Sequence, residues 1–199
     1  MNEIEEKFGG QYVVTPSTFI MGIHHRFAED MAKRFVSHRC VLDACTGAGF
    51  AAIPVARLGI KVIAVDINSE HLDMARKNAS IAGVEANMAF ILGDITSDET
   101  LQKVPPIDGA ILDPDWATGE NKRAHIESLS QMQPRADLLF QKVCRLTPNI
   151  ALRLPKEMNL GQLDTLPPHE LEEVCMDGRR KFYWAYFGNL SSPQTVKSR

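Results

Sequence analysis

The sequence has few cysteines, and they are not arranged for metal binding. The four are scattered, at Cys40, Cys45, Cys144 and Cys175. Without a CxxC pair or a histidine at ligand spacing, neither a zinc site nor a disulfide framework is expected. No apolar run approaches the ~20 residues of a membrane helix, and the first residues are acidic rather than basic as in a secretory leader. We therefore expect a cytoplasmic protein with reduced thiols, no metal and no membrane partner.

A global excess of positive charge is also missing, since the formal net charge is −3. The charge is unevenly distributed, because residues 61–115 carry 4 Lys/Arg against 10 Asp/Glu, whereas residues 116–199 carry 12 against 9. The C-terminal half is therefore the better candidate for meeting a polyanion. The 199 residues with 44% hydrophobic content suffice for one sizeable core.

Apolar runs with strand character alternate with helical ones. Strands are predicted at 40–44, 61–66, 88–92, 109–112 and 149–154, and helices at about 48–58, 69–82 and 135–146. Two further extended runs, 170–176 and 180–187, are joined by Asp177-Gly178, a strong hairpin signal. Because strands that are apolar on both faces belong to a covered parallel sheet, we predict a doubly wound, mostly parallel α/β fold with a C-terminal antiparallel hairpin.

The N-terminal segment has a period of four. Its apolar residues are Phe19, Ile23, Phe27, Met31 and Phe35. This spacing, with Pro16 in the first turn, predicts a single amphipathic helix. We expect residues 1–36 to be a helical extension packed on the core, residues 37–190 to be the main domain and residues 191–199 to be a tail.

Acidic residues lie at or just after the carboxyl ends of four of the predicted parallel strands. They are Asp43, Asp66, Asp94 and Asp113. Ligands of open α/β sheets bind beyond the carboxyl ends of the strands. A loop that binds a pyrophosphate offers backbone N–H groups, and Asp43 would repel that anion. The same charge suits a cation such as the amino group and sulfonium of S-adenosylmethionine.

Each acid of the first three strands has a plausible task toward that compound. Asp43 would lie near the amino acid tail, Asp66 would accept from the ribose hydroxyls, and Asp94 would accept from the adenine amino group. One such acid is usually a helix cap, but a series after a Gly47/Gly49 loop favours a ligand. Asp66 lies 17 residues after Gly49, which also suits a nicotinamide enzyme; only Asp43 and a missing third glycine separate the two hypotheses.

The fourth strand ends in a turn, Asp113-Pro114-Asp115-Trp116. Pro114 stiffens the turn, so that its carbonyl and the Asp113 carboxylate would accept hydrogen bonds from an exocyclic NH₂ group. Positioning would then supply most of the catalysis. Trp116 offers a face for a flat base, or alternatively it plugs the end of the sheet.

These motifs resemble those of class I S-adenosylmethionine-dependent methyltransferases, which have a Rossmann-like fold. The matching segments are Asp43–Gly49, Val62–Asp66, Phe90–Asp94 and Asp113–Trp116. More closely, the chain resembles the trimethylguanosine synthase family of RNA cap guanine-N2 methyltransferases. That likeness extends to Val14–Pro16, Leu154–Lys156 and Ala185–Leu190 and covers residues 11–190.

The resemblance implies roles for further residues. Thr15 would touch the cofactor's amino acid tail, and Ile95 would join Asp94 at the adenine. Lys156 would face the phosphates of an RNA substrate, and Trp116 would stack on the purine. The other cofactor-binding positions are Cys45, Gly47 and Ile67.

The sequence departs from the family at two places beside the turn. Asp115 replaces the second proline, and Ala117–Glu120 stands where the family has a glycine-rich stretch. We expect methyl transfer to an exocyclic amine of a nucleobase, guanine N2 or similar, in RNA. Two alternatives stay open: a small-molecule N-methyltransferase of the same fold, and a non-catalytic subunit that binds S-adenosylmethionine.

Overall fold

The computed structural model describes residues 2–116 and 126–192, which fall into two units, 1–109 and 110–199. Within the described residues the α-helices are α1 (Glu3–Phe8), α2 (Pro16–Met21), α3 (His25–Ala32), α4 (Ala52–Arg57), α5 (Ser69–Ile81), α6 (Asp98–Lys103) and α7 (Ala136–Val143). The strands are β1 (Cys40–Asp43), β2 (Lys61–Asp66), β3 (Met88–Leu92), β4 (Gly109–Leu112), β5 (Ile150–Pro155), β6 (His169–Met176) and β7 (Arg179–Phe187). Short 3₁₀ helices lie at Lys33–Phe35, Glu85–Asn87, Leu129–Gln131, Leu160–Thr165 and Gly188–Leu190.

The first unit contains three parallel strands in the order β3-β2-β1. Asp43 pairs with Ala64, and Asp66 pairs with Leu92, so the carboxyl ends of the three strands form one edge. In β2 every residue after Lys61 is buried, as expected for a parallel strand whose two faces are both covered. This register is what places the strand-end acids of this unit side by side.

The second unit contains four strands in the order β4-β5-β7-β6. The β4 and β5 strands run parallel, whereas β7 is antiparallel to both β5 and β6. The predicted hairpin is confirmed, because Asp177 and Gly178 both have a positive φ, 52° and 69°, as a type I′ turn requires. The aromatic residues Trp184, Tyr186 and Phe187 of β7 are almost fully buried.

The prediction of one N-terminal helix is wrong, because α2 and α3 are separate. The break lies at Gly22, which is extended with ψ of 137°. A Cβ at this position would lie 2.8 Å from the Phe8 ring and 2.9 Å from the Phe50 ring. The chain changes direction there against the stacked pair of Phe8 and Phe50, whose ring centroids are 3.6 Å apart. The period of four continues across the break, which is why it suggested a single helix.

Two further differences have local causes. The α4 helix begins at Ala52 rather than near residue 48, because Gly47 and Gly49 have φ of +53° and +89° and hold the loop open. The α6 helix was not predicted, although Ser97 caps it by accepting from the backbone N–H of Thr100 at 3.2 Å.

The proposed division into residues 1–36, 37–190 and 191–199 stays a prediction, and 193–199 lie outside the described residues. In the described part of the chain, every helix is too short or too polar to cross a bilayer.

Candidate active site

The glycine loop after β1 is tied to the end of β2. Asp43 is fully buried, and its Oδ2 accepts a hydrogen bond from the Thr46 hydroxyl at 2.8 Å. The Thr46 N–H donates to the carbonyl of Val65 at 3.0 Å, and the Gly47 N–H donates to Oδ2 of Asp66 at 2.8 Å. The structure therefore brings together two of the predicted acids with the loop between them.

Asp66 is held by several donors at this edge. Besides Gly47, it accepts from the Asn68 N–H at 2.9 Å, and His71 Nδ1 lies 3.3 Å away. Directly after it, Ile67 is 72% exposed. Asp66 and Ile67 therefore present an acceptor next to an open apolar surface.

The end of β3 continues the same edge. The Gly93 N–H donates to the Asp66 carbonyl at 3.0 Å. Asp94 is exposed and accepts from both the N–H and the hydroxyl of Thr96, at 2.8 and 2.7 Å. Ile95 is buried beside it. Asp94 is thus fixed by an Asx turn, in which a single carboxylate oxygen accepts both bonds.

Of two further predicted cofactor positions, Thr15 and Cys45, the first has a local structural role of its own. Thr15 caps α2, because its hydroxyl accepts from the Thr18 N–H at 3.2 Å while the Thr18 hydroxyl accepts from the Thr15 N–H at 2.8 Å. Cys45 is half-buried, and its thiol is reduced. Their contact with a cofactor stays a prediction.

These donors and acceptors fit an adenosyl cation. The edge carries buried and exposed carboxylates and an exposed apolar side chain, and a Cβ built on Gly47 meets no atom within 4 Å. Carboxylates accept from hydroxyl and amino groups and attract a positive charge. A phosphate would meet Asp43 and Asp66 instead of open backbone N–H groups, since Asp66 already takes the Gly47 N–H.

In the second unit, Asp113 follows β4 and forms a nearly buried ion pair with Arg153. The Nη1 of Arg153 donates to Oδ2 of Asp113 at 2.8 Å, and the side chains of Arg153 and Asp113 are 8% and 16% exposed, respectively. Burial raises the pKa of Asp113, the Arg153 guanidinium opposes that change, and the Asp115 charge adds to it. The pair supplies a fixed carboxylate at the end of the strand.

Arg153 is a candidate site residue that the sequence analysis missed. Its guanidinium carbon lies 4.5 Å from the centroid of the Trp116 ring and 4.5 Å from that of Phe182. Such contacts are favourable because the ring faces are negative. The available signal was a single charge inside the apolar run of β5, where every residue is buried, since buried arginines are almost always paired.

The rest of the turn is held by backbone bonds. Pro114 is buried, and Asp115 exchanges two backbone hydrogen bonds of 2.8 Å with Gln133. Trp116 is half-buried. Lys156 follows β5, where its exposed Nζ lies 3.2 Å from the Glu157 carboxylate. The departure at Ala117–Glu120 lies outside the described residues.

The structure is similar to known methyltransferases. A proposed methyltransferase from Porphyromonas gingivalis W83 superposes with a TM-score of 0.72 at 17% identity, over 95% of this chain and 48% of that one. The METTL16 MTase domain gives 0.62 at 14% identity, over 92% of this chain and 76% of that one. At these identities the likeness establishes the fold alone, and it confirms the expected Rossmann-like α/β fold with an antiparallel C-terminal pair.

Curated relatives are more similar in sequence over shorter stretches. A tRNA (uracil(54)-C(5))-methyltransferase of Pyrococcus furiosus is 32% identical over 56% of this chain. The 23S rRNA (uracil(1939)-C(5))-methyltransferase RlmD of Shewanella sp. strain ANA-3 is 29% identical over 68% of it. The alignments cover only 26% and 31% of these relatives' own lengths.

A family model for RNA cap guanine-N2 methyltransferases matches residues 38–190, which is most of the chain. That span includes the strand-end acids of both units, the Asp113–Trp116 turn and Arg153. The chain therefore belongs to the RNA cap guanine-N2 methyltransferase family, and S-adenosylmethionine is its methyl donor.

Proposed function

We propose that the protein is an RNA methyltransferase that transfers the methyl group to an exocyclic amine of a nucleobase, with guanine N2 as the first candidate. The observation that carries the proposal is the Asp113 carboxylate, which is paired with Arg153, whose guanidinium in turn lies over the Trp116 ring. The match to the guanine-N2 family supports the choice of base.

The chemistry of an amine acceptor suits this arrangement. S-adenosylmethionine supplies a methyl group on a positively charged sulfur, so attack by a neutral amine cancels charge. Asp113 and the Pro114 carbonyl would accept the two N–H groups of the amine and point its lone pair at the donor. Because the carboxylate is already fixed by Arg153, it needs little reorganisation when the substrate binds.

A carbon acceptor fits the described residues less well. Methylation at C5 of uracil, the reaction named for two of the relatives, needs a nucleophile that activates the ring, and a cysteine thiolate is the common choice. Burial raises the pKa of Cys40, and desolvation together with the Glu173 carboxylate raises that of Cys175. A raised pKa disfavours the reactive thiolate, so Cys40 and Cys175 are poor nucleophiles, and a carbon acceptor would have to use Cys45 or Cys144.

The remaining site residues have the following proposed roles. Asp66 accepts from the ribose, Asp94 and Ile95 receive the adenine, and Ile67 covers it. Asp43 and Thr15 serve the amino acid tail, with Cys45 and Gly47 in the loop beside it.

On the substrate side, Trp116 stacks on the base and Lys156 faces the phosphates. The charge distribution agrees with this assignment, because the chain after residue 115 is the more basic part. We also propose that the protein acts in the cytoplasm.

The test is methyl transfer into RNA followed by mass spectrometry of the nucleosides. We expect N2-methylguanosine, and Asp113→Asn should lower the transfer rate by about 10²–10³-fold while cofactor affinity stays unchanged. Asp164→Asn, at an exposed position of the same unit, is the matched control. Appearance of 5-methyluridine instead would contradict the amine acceptor.

A small cationic amine is the second candidate, favoured by Asp115, whose charge stands where the family has a proline. Salt separates the two candidates, because affinity for RNA falls steeply as salt rises. Trp116→Ala adds a second measure: stacking contributes about 1–3 kcal/mol per base, so KM for RNA should rise about tenfold or more. An unchanged KM would contradict the stacking role.

A further inference from the structure

The tip of the β6–β7 hairpin carries three consecutive basic residues, Arg179, Arg180 and Lys181, which we call the basic tip. All three are exposed. Basic residues are common in hairpin turns and usually have no specific function. Whether the basic tip binds a ligand therefore depends on where it lies and on which of its charges are already paired.

The strand register places the basic tip at the substrate end of the second unit. Leu112 pairs with Leu152, so β4 and β5 end at the same edge. On the other side of β5, Pro155 pairs with Phe182. Because β7 is antiparallel to β5, the residues before Phe182 extend past the carboxyl end of β5, the end that carries Asp113, Trp116 and Lys156.

The three basic residues are not equivalent. Arg180 forms an ion pair of 2.9 Å with Glu173 and lies 4.9 Å from the Tyr183 ring centroid, which anchors the tip to its own hairpin. Within residues 2–116 and 126–192, Arg179 and Lys181 have no ion pair. Their charges are therefore the ones available to an external anion.

A β-bulge contributes to this division. Val174 pairs with Phe182 and Cys175 pairs with Arg180, so Lys181 is the extra residue opposite the Val174/Cys175 step. Bulges bend a strand and redirect side chains, and they are common near functional sites. The bulge sets Lys181 apart from the regular ladder at the point where the hairpin passes the end of β5.

We propose that Arg179 and Lys181 bind phosphates of the RNA near the methylated base, while Arg180 holds the tip in place. This inference rests on the proposed RNA substrate and adds a surface outside the base-binding turn. Contacts of this kind contribute affinity and position without reading sequence. The net charge of the chain is −3 and gives no general attraction to RNA. A local cluster of positive charge such as the basic tip would supply that attraction.

The experiment measures binding of a mixed-sequence single-stranded oligoribonucleotide to the full chain across a range of salt concentrations. The variant is Arg179→Ala/Lys181→Ala. The matched control is Lys61→Ala/Arg145→Ala, which removes the same charges from exposed positions near the amino ends of β2 and β5. Calorimetric binding of S-adenosylmethionine verifies that each variant is folded.

Loss of two phosphate contacts should reduce the slope of log K against log salt by about 1.4 and lower the affinity at 0.1 M salt by about 25-fold. The control should keep the slope of the unmodified protein, and Arg179→Lys/Lys181→Arg should restore it.

The possible failures are distinguishable. If the unmodified protein binds RNA with a salt-dependent affinity but the Arg179/Lys181 variant keeps the same slope, the basic tip is overturned and the RNA substrate stands. An equal loss in the control variant would also overturn the basic tip, because the effect would then follow total charge. If the unmodified protein does not bind RNA, the proposed substrate fails and the basic tip fails with it.

Discussion

The two units hold their strand-end carboxylates in different ways. In the first unit, Asp94 accepts from a backbone N–H and a hydroxyl, and Asp66 accepts from two backbone N–H groups beside an imidazole. In the second unit, Asp113 accepts from the guanidinium of Arg153.

Under the proposed function, this difference suits the charge of the two ligands. Backbone N–H and hydroxyl donors fix a carboxylate without cancelling its charge, so the first unit would attract a cationic cofactor. A guanidinium cancels most of that charge, so Asp113 would offer its remaining lone pairs to a neutral amine. One residue type would then serve two tasks because its partners differ.

The largest expected effect concerns the Asp113–Arg153 pair. Arg153→Met leaves a nearly buried carboxylate without its counter-ion, which should lower the free energy of unfolding by about 3–5 kcal/mol in urea titration. The control is Arg135→Met, which removes an ion pair with Asp137 that is largely exposed and should cost no more than about 1 kcal/mol. Equal losses of stability in the two variants would show that the Asp113–Arg153 pair behaves as an ordinary exposed ion pair, which would contradict the contrast with the first unit.

The first unit is tested by Asp66→Ala. The carboxylate bonds to Gly47 and Asn68, and its proposed ribose bonds are charge-assisted, at about 1.5–3 kcal/mol each. We expect calorimetry to show a loss of about 100-fold or more in S-adenosylmethionine affinity. Asp73→Ala, at an exposed position on α5, should leave the affinity unchanged. Tight binding by the Asp66 variant would show that this edge does not hold the ribose.

A smaller effect separates a helix cap from a cofactor contact at Thr15. Thr15→Ala removes the cap of α2 and should lower the free energy of unfolding by about 1 kcal/mol, whereas Thr15→Ser should restore it. Thermal and urea unfolding measure the stability, and calorimetry measures cofactor affinity in the same variants. A tenfold loss of affinity without a loss of stability would assign the hydroxyl to the cofactor instead of the cap.

The smallest effect is on the pH dependence of transfer. In the proposed mechanism, Asp113 must be ionised to accept from the amine, so kcat/KM should fall when Asp113 is protonated. Because burial raises the pKa of Asp113, this fall should occur at a pH above the ordinary carboxyl pKa of about 3.9. Asp115→Asn removes a charge that raises this pKa. The acid limb of the profile should therefore move to lower pH, and Asp164→Asn should not move it.

The same pKa direction fixes the sign of the effect on stability. The folded state binds the Asp113 proton more tightly than the unfolded state. The stabilising contribution of this group to the free energy of unfolding is therefore present below about pH 3.9 and is lost as pH rises through the raised pKa.

For the activity profile, an acid limb of kcat/KM that moves to higher pH in Asp115→Asn would contradict the proposed effect of the Asp115 charge on the Asp113 pKa.

Much of the fold was readable from the sequence because its signals are local. The bounds of β2, β3 and β4 agree with the predicted runs, and the Asp177-Gly178 turn was placed correctly. The break between α2 and α3 was not readable, because it depends on the Phe8 and Phe50 rings packing where Gly22 has no side chain.

For the site, the sequence by itself determined which acids end the strands, since a strand-end position follows from the chain order. It also indicated the proline turn and the adenosyl cation as the ligand. Only the tertiary structure decided what each carboxylate is bonded to. Arg153 lies 40 residues from Asp113, and pairing across β4 and β5 brings them together. The partner of a buried charge is set by strand register and packing, which no local pattern encodes.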